Sequence, residues 1–110
     1  MTRKKANRVD FIPILDDLDQ TIHSITRLKI LTFLYVVEEG DMVYLLAQTG
    51  LTWGNLSANI QKLKDVGYVA VTKSFVENRP QTWVKLTEDG RIAYREYRTR
   101  MMKVLEYLPD

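Results

Sequence analysis

Leu51-Thr52-Trp53-Gly54-Asn55-Leu56-Ser57-Ala58-Asn59-Ile60-Gln61-Lys62-Leu63-Lys64-Asp65-Val66-Gly67-Tyr68-Val69 carries apolar residues at Trp53, Leu56, Ile60, Leu63 and Val66, spaced 3, 4, 3 and 3. That period predicts a helix with one buried stripe. At about 100° per residue the opposite side holds Gly54, Asn55, Ser57, Ala58, Gln61 and Lys62. These are small hydrogen-bonding groups, a methyl and one cation, where a merely solvated face would be salted with Glu and Lys. Small amides and hydroxyls can read base edges, and a neighbouring lysine can hold a phosphate. Thr52 is a good N-cap and Gly67 a good left-handed C-terminal stop.

Upstream, Ile22, Ile25, Leu28, Leu31, Leu34 and Tyr35 predict a first core helix from Thr21 to about Val37, ended by Glu38-Glu39-Gly40. His23 and Arg27 fall one turn apart on its flank, and His23 reads as a structural histidine because no nucleophile or carboxylate motif accompanies it. Asp41 can cap a short helix through Gln48, closed by Thr49-Gly50. Two helices joined by a tight turn containing glycine make a helix-turn-helix.

Downstream of Gly67 the period becomes alternating, Tyr68 to Val76 and then Thr82 to Leu86, around the polar bend Glu77-Asn78-Arg79-Pro80-Gln81. This predicts a β-hairpin whose tip offers Asn78, Arg79 and Gln81. Thr87-Glu88-Asp89 starts a last helix that runs to about Leu108, with Pro109 beyond. Ala93, Tyr97, Met101, Val104 and Leu108 form its stripe. A helix of about 20 residues spans roughly 30 Å, more than a small core needs, so Tyr97, Met101, Val104, Leu105 and Leu108 are the expected dimerisation residues. The acidic, apolar segment Asp10 to Asp19 could pack on it. Residues 1 to 9, with Arg3, Lys4, Lys5 and Arg8, read as a basic leader.

Composition narrows the classes. A chain of 110 residues, 45% hydrophobic, suits one domain with one core. The net charge of +2 is mild, but it hides polarity: Lys62, Lys64, Lys73, Arg79 and Lys85 outnumber Asp65 and Glu77 between Thr52 and Lys85, while acids gather near the N-terminus. With no cysteine and His23 alone, thiol chemistry, disulfides and a transition-metal site are not expected, nor is a cofactor. No run of about 18 apolar residues or signal-type segment is present, which fits a soluble cytoplasmic protein without a membrane role. No paired-acid, phosphate-loop or nucleophile motif points to an enzyme.

Three helices, a hairpin and a final helix over about residues 20 to 95 resemble a winged helix-turn-helix domain. The most specific residues are Thr49 to Ser57, Leu63 to Val69, Lys73-Ser74-Phe75, Arg79-Pro80 and Leu86 to Arg91. They are similar to MarR/ArsR-like winged-helix transcriptional regulators, in particular a small single-domain group whose recognition helix begins Thr-x-Gly-Asn-Leu-Ser. The resemblance implies a mainly α fold with a small β-hairpin (α+β) and a long C-terminal dimerisation helix. Residues 1–19 would be the leader and acidic segment, 20–86 the DNA-binding domain and 87–110 the dimerisation helix. It further implies a homodimer that reads duplex DNA, one recognition helix per major groove and each wing on flanking backbone or minor groove. Thr52, Gly54, Asn55, Ser57 and Ala58 match the family's contact positions, Lys62 its phosphate contacts, and Gln61 extends the same face. Arg79 at the wing is the strongest candidate, with Lys73, Asn78, Gln81 and Lys85 around it. Trp53, Tyr68 and Trp83 read as packing residues. Ala58 replaces the arginine of many relatives, which weakens a bidentate guanine reading and leaves thymine-methyl contact. Without Cys/His sites, metal sensing is not implied, and any small-molecule effector stays unspecified. The rival reading is a winged-helix protein-protein interaction module without DNA binding.

Overall fold

The computed structural model describes residues 9–110; the basic leader lies outside them, apart from Val9. A 3-10 segment, Val9–Asp17, precedes α1 (Ile25–Val37), β1 (Glu39–Asp41), α2 (Met42–Thr49), α3 (Trp53–Asp65), β2 (Val69–Val76), β3 (Arg79–Leu86) and α4 (Glu88–Glu106). The helices, the hairpin and the long final helix follow the winged-helix order expected from the sequence.

Local chemistry sets most boundaries. Asp41, Thr52 and Thr87 each accept a hydrogen bond at their side-chain oxygen from the amide three residues on, so all three helices start on a satisfied N-cap. Gly50 ends α2 at φ 69°. Gly67, at φ 85°, ends α3 in a Schellman arrangement, with the Tyr68 amide on the Leu63 carbonyl at 2.9 Å and the Gly67 amide on that of Lys64 at 3.0 Å. α1 starts four residues later than periodicity predicts, because Ser24 caps it. Ile22 is therefore buried ahead of the helix, His23 precedes it, and Ile25 is exposed.

The sheet has three antiparallel strands in the order β1-β3-β2. β1 is the unexpected one: Glu39, Gly40 and Asp41 pair with Lys85, Val84 and Trp83. Two acids around a glycine carry no strand period, so only the partner strand defines them. The hairpin is also tighter than the predicted bend. Glu77 and Asn78, at φ 52° and 66°, make a two-residue turn of the type that matches strand twist. Arg79 and Pro80 thus lie within β3, opposite Val76 and Phe75. β1 reaches only to Trp83, so Pro80 has no third strand beside it, and its missing amide costs no ladder bond there.

One core joins all parts. Ile22, Ile30, Leu31, Leu34, Leu45, Leu56, Leu63 and Val84 are fully buried, and Leu18 and Tyr97 belong to the same cluster. Of the predicted stripe on α3, Leu56, Ile60 and Leu63 are buried, whereas Trp53 and Val66, at its two ends, are 51% and 47% exposed. The 3-10 segment packs along α4 of its own chain, where Phe11 stacks on Tyr107 at 5.2 Å. Asp19 ties this segment to the wing base, taking the amides of Thr21 and Ile22 on Oδ1 and the Tyr68 hydroxyl on Oδ2. Burial, and then this carboxylate, push the Tyr68 phenol up to about 12.

The start of α4 meets the same place. The Thr87 amide and hydroxyl donate to the Tyr68 and Gly67 carbonyls at 3.1 and 2.6 Å. A Cβ at Gly90 would stand 2.2 Å from the Tyr68 carbonyl oxygen. Gly90→Ala should therefore lower stability by about 1–3 kcal/mol despite the helix propensity gained. Chemical denaturation checks it; an unchanged or raised midpoint would contradict this close approach.

Candidate nucleic-acid interface

α3 is held by its buried edge and by the turn before it. Gly50 and the Thr52 cap let α2 and α3 follow each other at once, and Lys29 of α1 donates to the Thr49 carbonyl at 3.3 Å, fixing that turn to the core. The outer side is then free. Thr52, Gly54, Asn55, Ser57, Ala58, Gln61 and Lys62 are all exposed, on one continuous helix face. Gln61 is partly committed, since its amide nitrogen donates to Asp65 at 2.8 Å. The helix N-terminus and its neutral, short side chains leave backbone and hydrogen-bonding groups open to a ligand that enters closely.

Trp53 is the large correction to this surface. It stands at the first turn of α3 beside Gly54 and Asn55, exposed, and not in the core. Apolar periodicity pointed inward, but the terminal turn of a helix projects beyond the core that its middle covers. Tyr68 and Trp83, by contrast, are partly buried.

Strand register sorts the hairpin residues onto two faces, because residues directly opposite share a side of the sheet. Val69, Leu86, Val71 and Val84 form the core face, and Lys73, Thr82, Phe75 and Pro80 continue it outward. Arg79 with Val76, Gln81 with Ser74, and Lys85 with Ala70 lie on the other face. Lys73 and Arg79 therefore do not flank each other. Lys85 shares the face of Arg79 but lies six residues along, roughly 20 Å away, next to Glu39 of β1. Arg79 and Asn78 are exposed at the turn, and Phe75 is 76% exposed. None of Lys62, Lys73, Arg79 and Lys85 makes an ion pair among the described residues, whose two bridges are Arg91–Glu38 and Arg100–Glu96.

A polar network missed by periodicity runs behind α3. Asn59 is buried, three residues after Leu56 and four before Leu63, and that spacing was the available signal. Its Nδ2 donates to Asn55 Oδ1 at 2.6 Å and to the Asn55 carbonyl at 2.8 Å, and its Oδ1 accepts from Arg27 Nη1 at 2.9 Å. Arg27 also donates to the Thr21 carbonyl through Nε. His23, exposed, makes a 2.7 Å hydrogen bond with the Tyr97 hydroxyl.

On α4, Tyr97 and Val104 are buried within the chain and Met101 is partly so, which uses up three of the five proposed dimerisation residues in intrachain packing. Leu105 remains exposed near Met102 on α4, as do Tyr107 and Leu108 just past its end and Ile12 and Leu15 on the segment that packs along it. Around Tyr35, Arg91 and Arg98 lie 4.7 and 5.8 Å from the ring. The Arg95 guanidinium draws that phenol below its ordinary range. Among the described residues no group of acids and His could hold a metal, and no helix is long and apolar enough to cross a membrane.

Comparison with known proteins agrees with the architecture. Residues 26–105 match the family model of a winged helix DNA-binding domain. An uncharacterized protein of Methanocaldococcus jannaschii is 39% identical over 75 residues, 68% of this chain and 82% of the relative. The transcriptional regulator homologue from Pyrococcus horikoshii OT3 superposes with a TM-score of 0.80 at 24% identity, over 84% of this chain and 94% of that one. A MarR family transcriptional regulator from Silicibacter pomeroyi gives 0.61 at 18% identity, over 96% of this chain and 69% of that one.

The position of Trp53 has a measurable consequence. Trp53→Ala should cost under about 1 kcal/mol, as for a surface site, and should remove the tryptophan fluorescence most accessible to a soluble quencher. A loss of about 3–5 kcal/mol, usual for a core tryptophan, would return Trp53 to the interior.

Proposed function

The chain belongs to the winged helix DNA-binding domain family, and from that premise we propose that it is a sequence-specific duplex-DNA-binding transcriptional regulator acting as a homodimer in the cytoplasm. The observation that carries the reading is the outer face of α3, where exposed Thr52, Gly54, Asn55, Ser57, Ala58, Gln61 and Lys62 form a surface of short polar groups with only one charge. In the major groove such a face brings hydroxyls and amides to base edges, with Lys62 on a phosphate. Trp53 joins this surface at its N-terminal end. The wing places Arg79 and Asn78 on flanking backbone or minor groove, while Lys73 meets phosphate from the ribbon's other side. Gln81 and Lys85 follow Arg79 along its face.

Exposed apolar surface supports the dimer. Ile12, Leu15, Met102, Leu105, Tyr107 and Leu108 leave an apolar surface for a second copy to share. Two copies joined there would present two α3 helices, and their separation would set half-site spacing. No cofactor enters this function.

Duplex affinity should fall with rising salt by several units of slope on logarithmic axes, as counterions are released from neutralised phosphates. Arg79→Ala should reduce that slope by about one and weaken binding to all sequences alike, with the thermal midpoint unchanged. A salt-independent or absent interaction would favour a protein-interaction module instead.

For the assembly, sedimentation of the paired variant Leu105→Glu, Leu108→Glu should show a monomer that melts like the parent chain. A dimer that survives both charges would move the interface elsewhere.

A further inference from the structure

We propose that Arg27, acting through the buried Asn59, sets which way the Asn55 amide faces, so that α3 offers N–H donors, and no carbonyl acceptor, at that point of its outer face. The inference deepens the DNA reading above and rests on it.

The chain of polarity starts from a group with no choice. A guanidinium has only donors. Arg27 is anchored through Nε on the Thr21 carbonyl and sends Nη1 to Asn59 at 2.9 Å, so the atom of Asn59 facing it has to be the acceptor, Oδ1. This fixes the amide orientation that heavy-atom positions alone leave ambiguous. The Nδ2 of Asn59 is thereby turned toward Asn55, where it finds two acceptors, the backbone carbonyl at 2.8 Å and Oδ1 at 2.6 Å. Asn59 is only 7% exposed, so water does not compete for these bonds, and flipping either amide would set donor against donor in a buried place.

Asn55 is itself exposed, on the face that carries Thr52 and Ser57. Its Oδ1 is engaged inward, and its Nδ2 makes no hydrogen bond among the described residues. Reading adenine through an asparagine takes a carbonyl acceptor and an amino donor together, whereas guanine presents the acceptors O6 and N7 side by side. A donor-only Asn55 therefore suits a guanine edge. Arg27 and Asn59 are positioning residues in this scheme, and Asn55 is the one that touches the base.

The test combines the free protein with its DNA. In free protein labelled with nitrogen-15, the Asn55 side-chain NH₂ should exchange with solvent at least about tenfold faster than that of Asn59, as expected for exposed against buried, bonded amides. Asn59→Asp keeps a partner for Arg27 but supplies only acceptors, so it should slow Asn55 NH₂ exchange and turn the Asn55 carbonyl outward. Binding sites selected from a random duplex pool should contain one guanine for the parent chain whose replacement costs about tenfold. That preference should vanish in Asn55→Ala and shift toward adenine or cytosine in Asn59→Asp. In Arg27→Gln, which can donate or accept, it should relax. Equal exchange of the two amides, a phosphate contact with no base preference at Asn55, or an unchanged preference in a folded Asn59→Asp would overturn the proposal. If the parent chain selects no duplex at all, the DNA reading falls, and with it the base contact; the amide exchange then decides the relay alone.

Discussion

Everything in this molecule depends on one helix being gripped along one edge. Leu56, Ile60 and Leu63 sink that edge of α3 into a core made by Ile30, Leu31 and Leu34 of α1 and by Leu45 of α2. Fully burying each such side chain contributes on the order of 1.5–3 kcal/mol, enough together to hold a 13-residue helix that would be marginal alone. The opposite side lies outside the core, so its short polar groups face outward and are available for recognition. Asn59 is the exception within the gripped edge, a buried amide whose bonds join that edge to the outer face.

A second joint keeps the wing and the long helix in register with α3. Around Tyr68 meet the Schellman stop of α3, the first residues of β2, the Thr87 cap of α4, the close approach at Gly90 and the carboxylate of Asp19. None of these contacts is large. Their value is geometric: each ties a different element to the same few backbone atoms, so the hairpin and α4 cannot swing independently of α3. The N-terminal segment, pinned at Asp19 and stacked through Phe11 on Tyr107, then braces α4 along much of its length.

Much of the fold was legible because its signals are local. Caps at Asp41, Thr52 and Thr87, the stops at Gly50 and Gly67, and the change from helical to alternating period each involve residues within one turn of each other. β1 was not legible, since Glu39-Gly40-Asp41 becomes a strand only through Val84 and its neighbours more than 40 residues away. Neither was the hairpin's exact turn, where Glu77 accepts a positive φ that its residue type does not announce. The candidate face of α3 could be read residue by residue, because helix periodicity alone divides inside from outside in the middle of a helix. It failed at the ends, at Trp53 and Val66, where the core stops before the helix does.

By itself, then, the sequence determined the order and kind of the elements, the family resemblance and the composition of the face that α3 turns outward. Those follow from short-range chemistry, capping, backbone conformation and the 3.6-residue repeat. Tertiary structure decided which apolar residues the core could reach, which wing cations share a side, and how much of α4 its own N-terminal segment consumes. It also brought Arg27 to Asn59 across 32 positions. Such pairings depend on where separate elements come to rest against one another, and no local rule encodes that distance.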